Sequence, residues 1–248
     1  MRLTIGASIT GSVAAIAAAT ALATAATPAP SGLPQGADPV TLDPAEMSTR
    51  IDNPWWPMRR GSRWIYRETD GRGGVARVVV TVTSRTRRLA NGVTARIVRD
   101  VVTSGGKPVE VTDDYYAQDR AGNVWYLGEA TREYVGGRPG STSGSFEAGV
   151  GGAQPGIAMP AHPVPGLSYR QEYLRGEAED RARVLSIDEQ AQVPFGRFRD
   201  VLLTRDTTPL EPTVLEYKLY ARGVGPVLTL HASGGRGREE LVSFRRGR

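Results

Sequence analysis

The sequence predicts an all-β protein built on one large curved antiparallel sheet, a half-barrel or open barrel of about 10–12 strands. Two observations lead to this prediction. Apolar and polar residues alternate in short runs through residues 51–248, and turn-forming residues separate these runs at intervals of ten or so positions. No helical periodicity appears after the first 26 residues. We therefore expect a single β domain over residues 51–248.

The first half of this domain contains alternating strand and turn signals. Arg63–Arg67 predicts a strand, and Asp70–Gly74 predicts the turn that follows it. Val75–Arg88 predicts a long strand that ends near Asn91-Gly92, a sequence typical of two-residue hairpin turns. Val93–Thr103 returns from that turn, so the pattern is an up-and-down meander.

The central hairpin, Val109–Tyr134, is the most aromatic stretch of the chain. Its turn is predicted at Asp119–Asn123, where Gly and Asn tolerate positive φ and Asp accepts local hydrogen bonds. Alternation places Asp114 and Tyr116 on one face of the first strand. Because both faces of the hairpin carry aromatic residues, we keep two interpretations: ordinary cross-strand packing, or a surface that lines a ligand site.

A long Gly/Pro-rich loop, Gly136–Gly166, then interrupts the pattern. Loops of this length are uncommon inside compact domains and often have a function. The apolar residues Phe146, Ile157 and Met159 suggest a lid over one mouth of the sheet, with a static surface loop as the alternative. Strands resume afterwards, over Leu167–Leu174, Arg181–Asp188, Arg199–Asp206, Val214–Ala221, Val227–Ala232 and Glu239–Phe244.

The N-terminal residues indicate export. Residues 1–26 form a predicted signal peptide, with Arg2, an uncharged run and a small-residue cleavage site at Ala23–Ala25. Residues 27–50 are rich in Pro, Gly, Ala and Ser and predict a disordered linker. The adjacent Trp55 and Trp56 are too apolar to remain in water, so we expect them to pack on the domain, with an aromatic platform for a ligand as the alternative. The mature protein is predicted to be a secreted monomer, extracellular or associated with the cell wall, without a membrane span.

Composition excludes several functions. The chain has no cysteine and two histidines without paired spacing, so neither a metal site nor a cofactor is predicted. The net charge is +5, but all except two of the 31 basic residues are arginines spread along the strands among carboxylates. A nucleic-acid surface would concentrate them, so no nucleic-acid partner is predicted. No Gly-x-Ser-x-Gly motif is present.

Three functions remain open. The first is a binding protein that holds a lipid or another apolar or amphipathic molecule on the concave sheet. The second is an extracellular glycosidase-like hydrolase that uses Asp114 with Glu129 or Glu172. The third is a structural envelope protein without a ligand. Catalysis is left uncertain, with binding favoured over an enzyme, and no residue is given a catalytic role. The candidate ligand-binding residues are Trp64, Tyr66, Asp114, Tyr116, Trp125, Glu129, Phe146, Met159, Glu172 and Tyr173.

Several motifs carry a family resemblance that spans most of Asp52–Phe244. Val193–Leu202, Leu215–Gly225 and the Gly-Gly stretch before Glu240-Leu-Val resemble the closing strands of exported bacterial half-barrel domains, similar to the lipoprotein-carrier (LolA/LolB-like) group. Asp52–Tyr66 and Tyr116–Tyr126 resemble secreted bacterial proteins of unassigned function. The resemblance implies a concave apolar sheet face that holds acyl chains, and it transfers no catalytic residue. The long loop and the charges within the strands depart from that pattern.

Overall fold

The computed structural model describes residues 32–233 and 237–248. The predicted signal peptide and residues 27–31 lie outside the described residues. The described chain forms a 3₁₀ turn at Pro44–Glu46 and no α-helix. Its sixteen strands are β1 (Met47–Ser48), β2 (Arg63–Thr69), β3 (Val75–Arg88), β4 (Thr94–Ser104), β5 (Lys107–Asp119), β6 (Val124–Val135), β7 (Arg138–Pro139), β8 (Phe146–Glu147), β9 (Gln154–Met159), β10 (Ser168–Arg170), β11 (Glu172–Tyr173), β12 (Arg181–Val193), β13 (Gly196–Thr207), β14 (Leu215–Ala221), β15 (Gly225–His231) and β16 (Arg238–Arg245).

The main strands form one antiparallel sheet that closes almost completely into a barrel. Its order is β10-β12-β13-β14-β15-β16-β2-β3-β4-β5-β6-β9-β11. The two ends of this path, β10 and β11, are separated in sequence by Gln171 alone, so the chain itself joins the two edges. Barrel closure satisfies the backbone groups that open edge strands would expose. The all-β prediction is confirmed, and the curvature is that of a nearly closed barrel.

The central hairpin forms as predicted, from β5 and β6 around residues 119–123. The Asp119 carboxylate accepts hydrogen bonds from the Asn123 backbone N–H and from Trp125 Nε1, both at 2.8 Å. An Asp at the start of such a turn stabilises it by replacing water as the acceptor for groups that the reversal leaves unpaired. Trp125 is therefore anchored to the turn.

The segment predicted as one long loop contributes three short strands, β7, β8 and β9. β9 pairs with β6 through Val124↔Met159 and Trp125↔Ile157, and it forms part of the barrel wall. The Ile157 and Met159 side chains are fully buried. The apolar residues in this segment thus pack into the wall and its core, which accounts for their presence in a Gly/Pro-rich sequence.

Residues 32–50, which the sequence places in a disordered linker, pack against the barrel. The main contact is Arg170, whose side chain is 1% exposed. Its guanidinium donates hydrogen bonds to the carbonyl oxygens of Gly36, Asp38 and Pro155 at 2.8, 2.7 and 2.8 Å. A buried guanidinium is stable only where such acceptors surround it. The side chain of a distant strand therefore orders this segment, and local composition could not indicate it.

We expect Arg170→Met to detach residues 32–40 and to lower the free energy of unfolding by about 3 kcal/mol, because three charge-assisted hydrogen bonds are lost. Urea denaturation and limited proteolysis of this segment measure the two effects. Arg181→Met, at an exposed position of β12 that faces Arg170 in the strand register, is the control and should change neither. Equal proteolysis of wild type and Arg170→Met would contradict the assignment.

Candidate functional site in the barrel interior

The barrel interior carries two rows of side chains that run across neighbouring strands. In each strand every second residue points inward, so the strand register decides which inward residues meet. The first row is Thr204, Lys218, Thr229, Glu239 and Glu68, from β13 through β16 to β2. The second row is Thr131, Thr112, Asp100, Val80 and Trp64, from β6 back to β2. The interior is therefore a polar surface mixed with apolar and aromatic residues.

Aromatic side chains converge on the same space. Trp56 lies with its ring centroid 5.7 Å from Tyr116 and 5.8 Å from Tyr220. Tyr116 in turn packs at 5.0 Å from Tyr126. Tilted ring pairs at these separations are favourable because the positive edge of one ring meets the negative face of the other. These rings form an aromatic wall on one side of the interior.

A cavity lies between the aromatic wall and the polar rows. Its volume is about 50 Å³, measured as the space open to the centre of a water molecule. This is room for a few water molecules or one compact organic group. An acyl chain does not fit within it. The lining residues are Trp56, Met58, Trp64, Tyr66, Val80, Val98, Asp100, Asp114, Tyr116, Tyr126, Ala158, Gln171, Lys218, Tyr220, Pro226, Thr229 and Glu239.

Two carboxyl groups of the lining are buried without a complete set of partners. Asp100 is 8% exposed and Glu239 is 2% exposed. Asp100 Oδ1 and Glu239 Oε2 have no hydrogen-bond partner among the described residues. A buried polar atom without a partner costs about 1–3 kcal/mol, so such atoms require an explanation. A polar group held in the cavity would supply the missing hydrogen bonds.

The environment also shifts the protonation of these acids. Burial, followed by the charge of Glu68, raises the pKa of Glu239 to about 8. Burial, followed by Asp114 and Glu239, raises the pKa of Asp100 well above its usual value. Desolvation destabilises the charged form of a carboxyl, and neighbouring carboxylates add to the effect. Both shifts favour the neutral carboxylic acid, and Glu239, with a pKa of about 8, is mainly protonated at neutral pH.

Lys218 differs from the acids because it is already paired. Its ammonium lies 2.8 Å from Asp206 Oδ2 and 3.4 Å from Glu216 Oε2. Burial would lower the pKa of Lys218, but the two carboxylates raise it well above its usual value. Burial would raise the pKa of Glu216, but Lys218 and His231 lower it to about 2. Lys218 is thus paired with Asp206 and Glu216, and its charge offsets only part of the rise in the pKa of Glu239.

Tyr126 joins two carboxyl groups. Its hydroxyl lies 2.8 Å from Asp114 Oδ1 and 2.7 Å from Glu129 Oε2. A phenol has one proton to donate, so both hydrogen bonds form only when one carboxyl group is itself protonated. Burial and the nearby Glu129 raise the pKa of Asp114 to about 7. Asp114 can thus donate to the phenol oxygen while Tyr126 donates to Glu129.

Of the residues predicted to bind a ligand, Trp64, Tyr66, Asp114 and Tyr116 line the cavity. The others lie elsewhere: Trp125 binds the Asp119 turn, Glu129 supports Tyr126, Phe146 packs on Tyr126, Met159 is in the wall, Glu172 is buried at the closing strand, and Tyr173 lies beneath Arg170. The proposed hydrolase needs two acids at one substrate. Of the predicted acids only Asp114 reaches the cavity, so the predicted pairs of Asp114 with Glu129 or Glu172 do not line it together.

Sequence reasoning missed Asp100, Glu239 and Lys218 as lining residues. A signal for each was present, since each lies on a strand with an apolar or aromatic residue two positions away: Val98 beside Asp100, Tyr220 beside Lys218 and Leu241 beside Glu239. A charged residue within an otherwise apolar face indicates a buried polar site. Which strands meet across the barrel could not be read from this pattern.

The Trp55-Trp56 segment packs against the turn between β14 and β15, where the Gly223 N–H donates to the Pro54 carbonyl oxygen at 2.8 Å. Trp55 is 2% exposed and stacks beneath the Arg222 guanidinium at 4.0 Å, so the predicted packing is confirmed. Trp56 lies against Gly225, where φ is +104° and a Cβ atom would come within 2.8 Å of the indole. Glycine at this position therefore serves both the backbone conformation and the approach of the ring.

Asn53 fixes the Trp55-Trp56 segment to the barrel. Its Nδ2 donates to the carbonyl oxygens of Gly122 and Pro160 at 2.9 and 3.0 Å, and its Oδ1 accepts from the Trp55 N–H at 2.9 Å. We expect Asn53→Ala to destabilise the protein by about 2–3 kcal/mol, because buried groups lose their partners. Acrylamide quenching should then reach Trp56 more readily. Asp52→Asn, an exposed change that keeps its side-chain oxygen, is the control; equal quenching in both variants would refute the role of Asn53.

Within residues 32–233 and 237–248, no group of three or more His, Asp or Glu side chains is arranged to hold a metal ion. The same part of the chain contains no helix long and apolar enough to span a membrane.

Comparison with known proteins gives similarity of fold alone. No protein-family model matches the chain, and no curated protein matches its sequence. Similar solved structures include a candidate exported protein with a YmcC-like fold from Bacteroides fragilis, with a TM-score of 0.46, 13% identity and coverage of 77% of this chain and 99% of that one. Another is a candidate lipoprotein from Parabacteroides distasonis, with a TM-score of 0.42, 14% identity and coverage of 77% and 98%. The resemblance to the lipoprotein-carrier group stays a prediction.

Proposed function

We propose that this chain is an exported binding protein of the cell envelope or extracellular space, which holds a small amphipathic ligand inside its barrel. The observation that carries the proposal is the cavity, in which aromatic rings face the unpartnered carboxyl oxygens of Asp100 and Glu239. A mainly apolar pocket with a few convergent polar groups is the usual form of a small-molecule site. The signal-peptide pattern of residues 1–26 supports export.

The ligand differs from the one implied by the family resemblance. A carrier of acyl chains needs a long apolar groove, whereas this cavity is compact and contains acids. The aromatic wall still provides apolar contact for part of a ligand, at roughly 25 cal/mol for each Å² removed from water. The proposal therefore keeps an amphipathic ligand and limits the part that enters the barrel to a compact polar group with a small apolar body.

Native mass spectrometry of the protein secreted by its own host tests this function. We expect an additional non-covalent mass that is lost on denaturation. Ala158→Leu, which fills cavity space, should abolish it, whereas Ala130→Leu on the exposed face of β6 should retain it. Circular dichroism confirms that both variants fold. Wild-type protein without any additional mass would overturn the proposal and favour the structural envelope protein.

A further inference from the structure

The cavity combines an acidic lining with an otherwise basic chain. The net charge of the protein is +5, yet the cavity is lined by Asp100, Asp114 and Glu239, with Lys218 as its one basic residue among the described lining. Lys218 is already held by Asp206 and Glu216. The lining therefore holds three acids that can each become a carboxylate, and the one lysine is already paired with other residues, so a positively charged ligand would complement the lining.

The aromatic wall also favours a positively charged ligand. The faces of Trp and Tyr rings carry negative electrostatic potential, which attracts a cation placed over them. Trp56, Tyr116 and Tyr220 surround one side of the cavity, and the carboxyl groups lie in the lining with them. A neutral hydroxyl group would gain hydrogen bonds from the acids but little from the ring faces. A compact cation gains from both.

We propose that the group held in the cavity is an organic ammonium, with Asp100 and Glu239 as its counter-ions and the aromatic wall as its cage. The inference rests on the proposed function and names the chemical class of its ligand. The small volume limits the cationic group to an amine or a methylated ammonium on a short apolar body.

Binding of such a cation is coupled to proton release. Without a cation the buried acids are held neutral, and a positive charge beside them lowers their pKa. The charged and titratable groups that face Asp100 and Glu239 are Glu68 on β2, Glu110 and Asp114 on β5, Glu216 and Lys218 on β14, and His231 on β15. Most are acids that favour the protonated form, so the ammonium displaces protons as it enters.

An isosteric pair of probes provides the test. tert-Butylammonium and tert-butanol have the same shape and differ in charge, and both are small enough to probe this cavity. Ligand-observed NMR and calorimetry at pH 7 should show the amine binding at least tenfold more tightly. Calorimetry in phosphate and in MOPS, whose heats of ionisation differ and neither of which is a compact cation, should show protons released with the amine and none with the alcohol.

Substitutions test whether Asp100 and Glu239 cause the preference for the amine. Asp100→Asn combined with Glu239→Gln should remove the tenfold preference while tert-butanol still binds. Asp113→Asn, a half-buried acid of β5 that pairs with Arg99 and Arg85 and lies outside the cavity lining, is the matched control and should keep the preference. If the double variant does not fold, two measurements on the wild-type protein still test the proposal. These are the affinity of the amine relative to the alcohol and the number of protons released when the amine binds.

The outcomes separate the two proposals. Equal binding of the amine and the alcohol, or tighter binding of the alcohol, overturns the ammonium assignment and leaves a binding protein for neutral ligands. Tighter binding of the amine without proton release overturns the role of the buried acids. A ligand recovered from the host that carries no amine overturns the inference alone, whereas a host protein without any bound mass overturns the proposed function as well.

Discussion

Gly156→Ala is expected to prevent stable closure of the barrel. Gly156 lies in β9 against the closing strand β11, and a Cβ atom there would overlap the carbonyl group of Gln171 and lie 2.7 Å from the backbone nitrogen of Glu172. Backbone atoms cannot move aside as the end of a side chain can. We expect destabilisation of about 3 kcal/mol or more, and a fall in Tm of roughly 10 °C.

The measurement is thermal unfolding with hydrogen exchange on residues 168–173. The backbone amides of these residues should exchange faster in the variant, because the pairs Glu172↔Pro155 and Tyr173↔Gln154 close the barrel. Gly196→Ala is the matched control, since its Cβ atom would meet no atom within 4 Å and its φ is not positive. A Tm within 2 °C of wild type for Gly156→Ala would show that the two strands do not form this contact.

Stability is expected to fall as the pH rises from 5.5 to 8.5. The folded state raises the pKa of Asp114 and Glu110 to about 7 and that of Glu239 to about 8, through burial and then neighbouring charge. Well below their ordinary pKa values of 3.8 for Asp and 4.5 for Glu, these acids are protonated in both states and cause no change of stability with pH. Between those values and their folded pKa the unfolded chain loses protons that the folded chain retains, so unfolding becomes more favourable.

Other shifted groups leave the sign of this dependence unchanged. His231 also has a raised pKa, mainly through its hydrogen bond with Glu216, and its contribution is likewise lost as the pH rises. The lowered pKa of Glu216 stabilises the fold above its unfolded value and is constant across this range. Each raised acid contributes about 1.4 kcal/mol per pH unit between its two pKa values. We expect Tm to fall by roughly 15 °C or more.

Glu239→Gln should flatten this pH profile and raise Tm at pH 8.5, because an amide keeps hydrogen-bonding capacity without ionising. Asp113→Asn is the control. Asp113 lies on the outer face with Arg99 and Arg85, which hold its pKa below the usual value despite partial burial. Asp113→Asn should lower Tm by a similar amount at every pH from 5.5 to 8.5, so the change of Tm with pH should stay as in the wild type. A Tm that rises between pH 5.5 and 8.5 would contradict the buried-acid assignment.

Local sequence determined much of the fold. The Asp119–Asn123 turn, the alternating strands and the docking of the two tryptophans follow from residue type and spacing, which act over a few positions. The cavity and its lining, in contrast, depend on how strands that are distant in sequence pair with one another. Glu68 meets Glu239 across β2 and β16, some 170 positions apart, and no local pattern indicates that pairing. Tertiary contacts also order residues 32–50, despite a composition typical of linkers.

The joining of β2 to β16 has a kinetic consequence. The first long strand of the domain pairs with the last, so the barrel can close only after the final residues of the chain are available. Loop-closure entropy opposes such distant pairings, and folding rates fall as the sequence separation of contacts increases. A chain of this topology stays open throughout synthesis. Under the proposed export, this delay would leave the chain unfolded, and so able to cross a membrane in extended form, for as long as its synthesis continues.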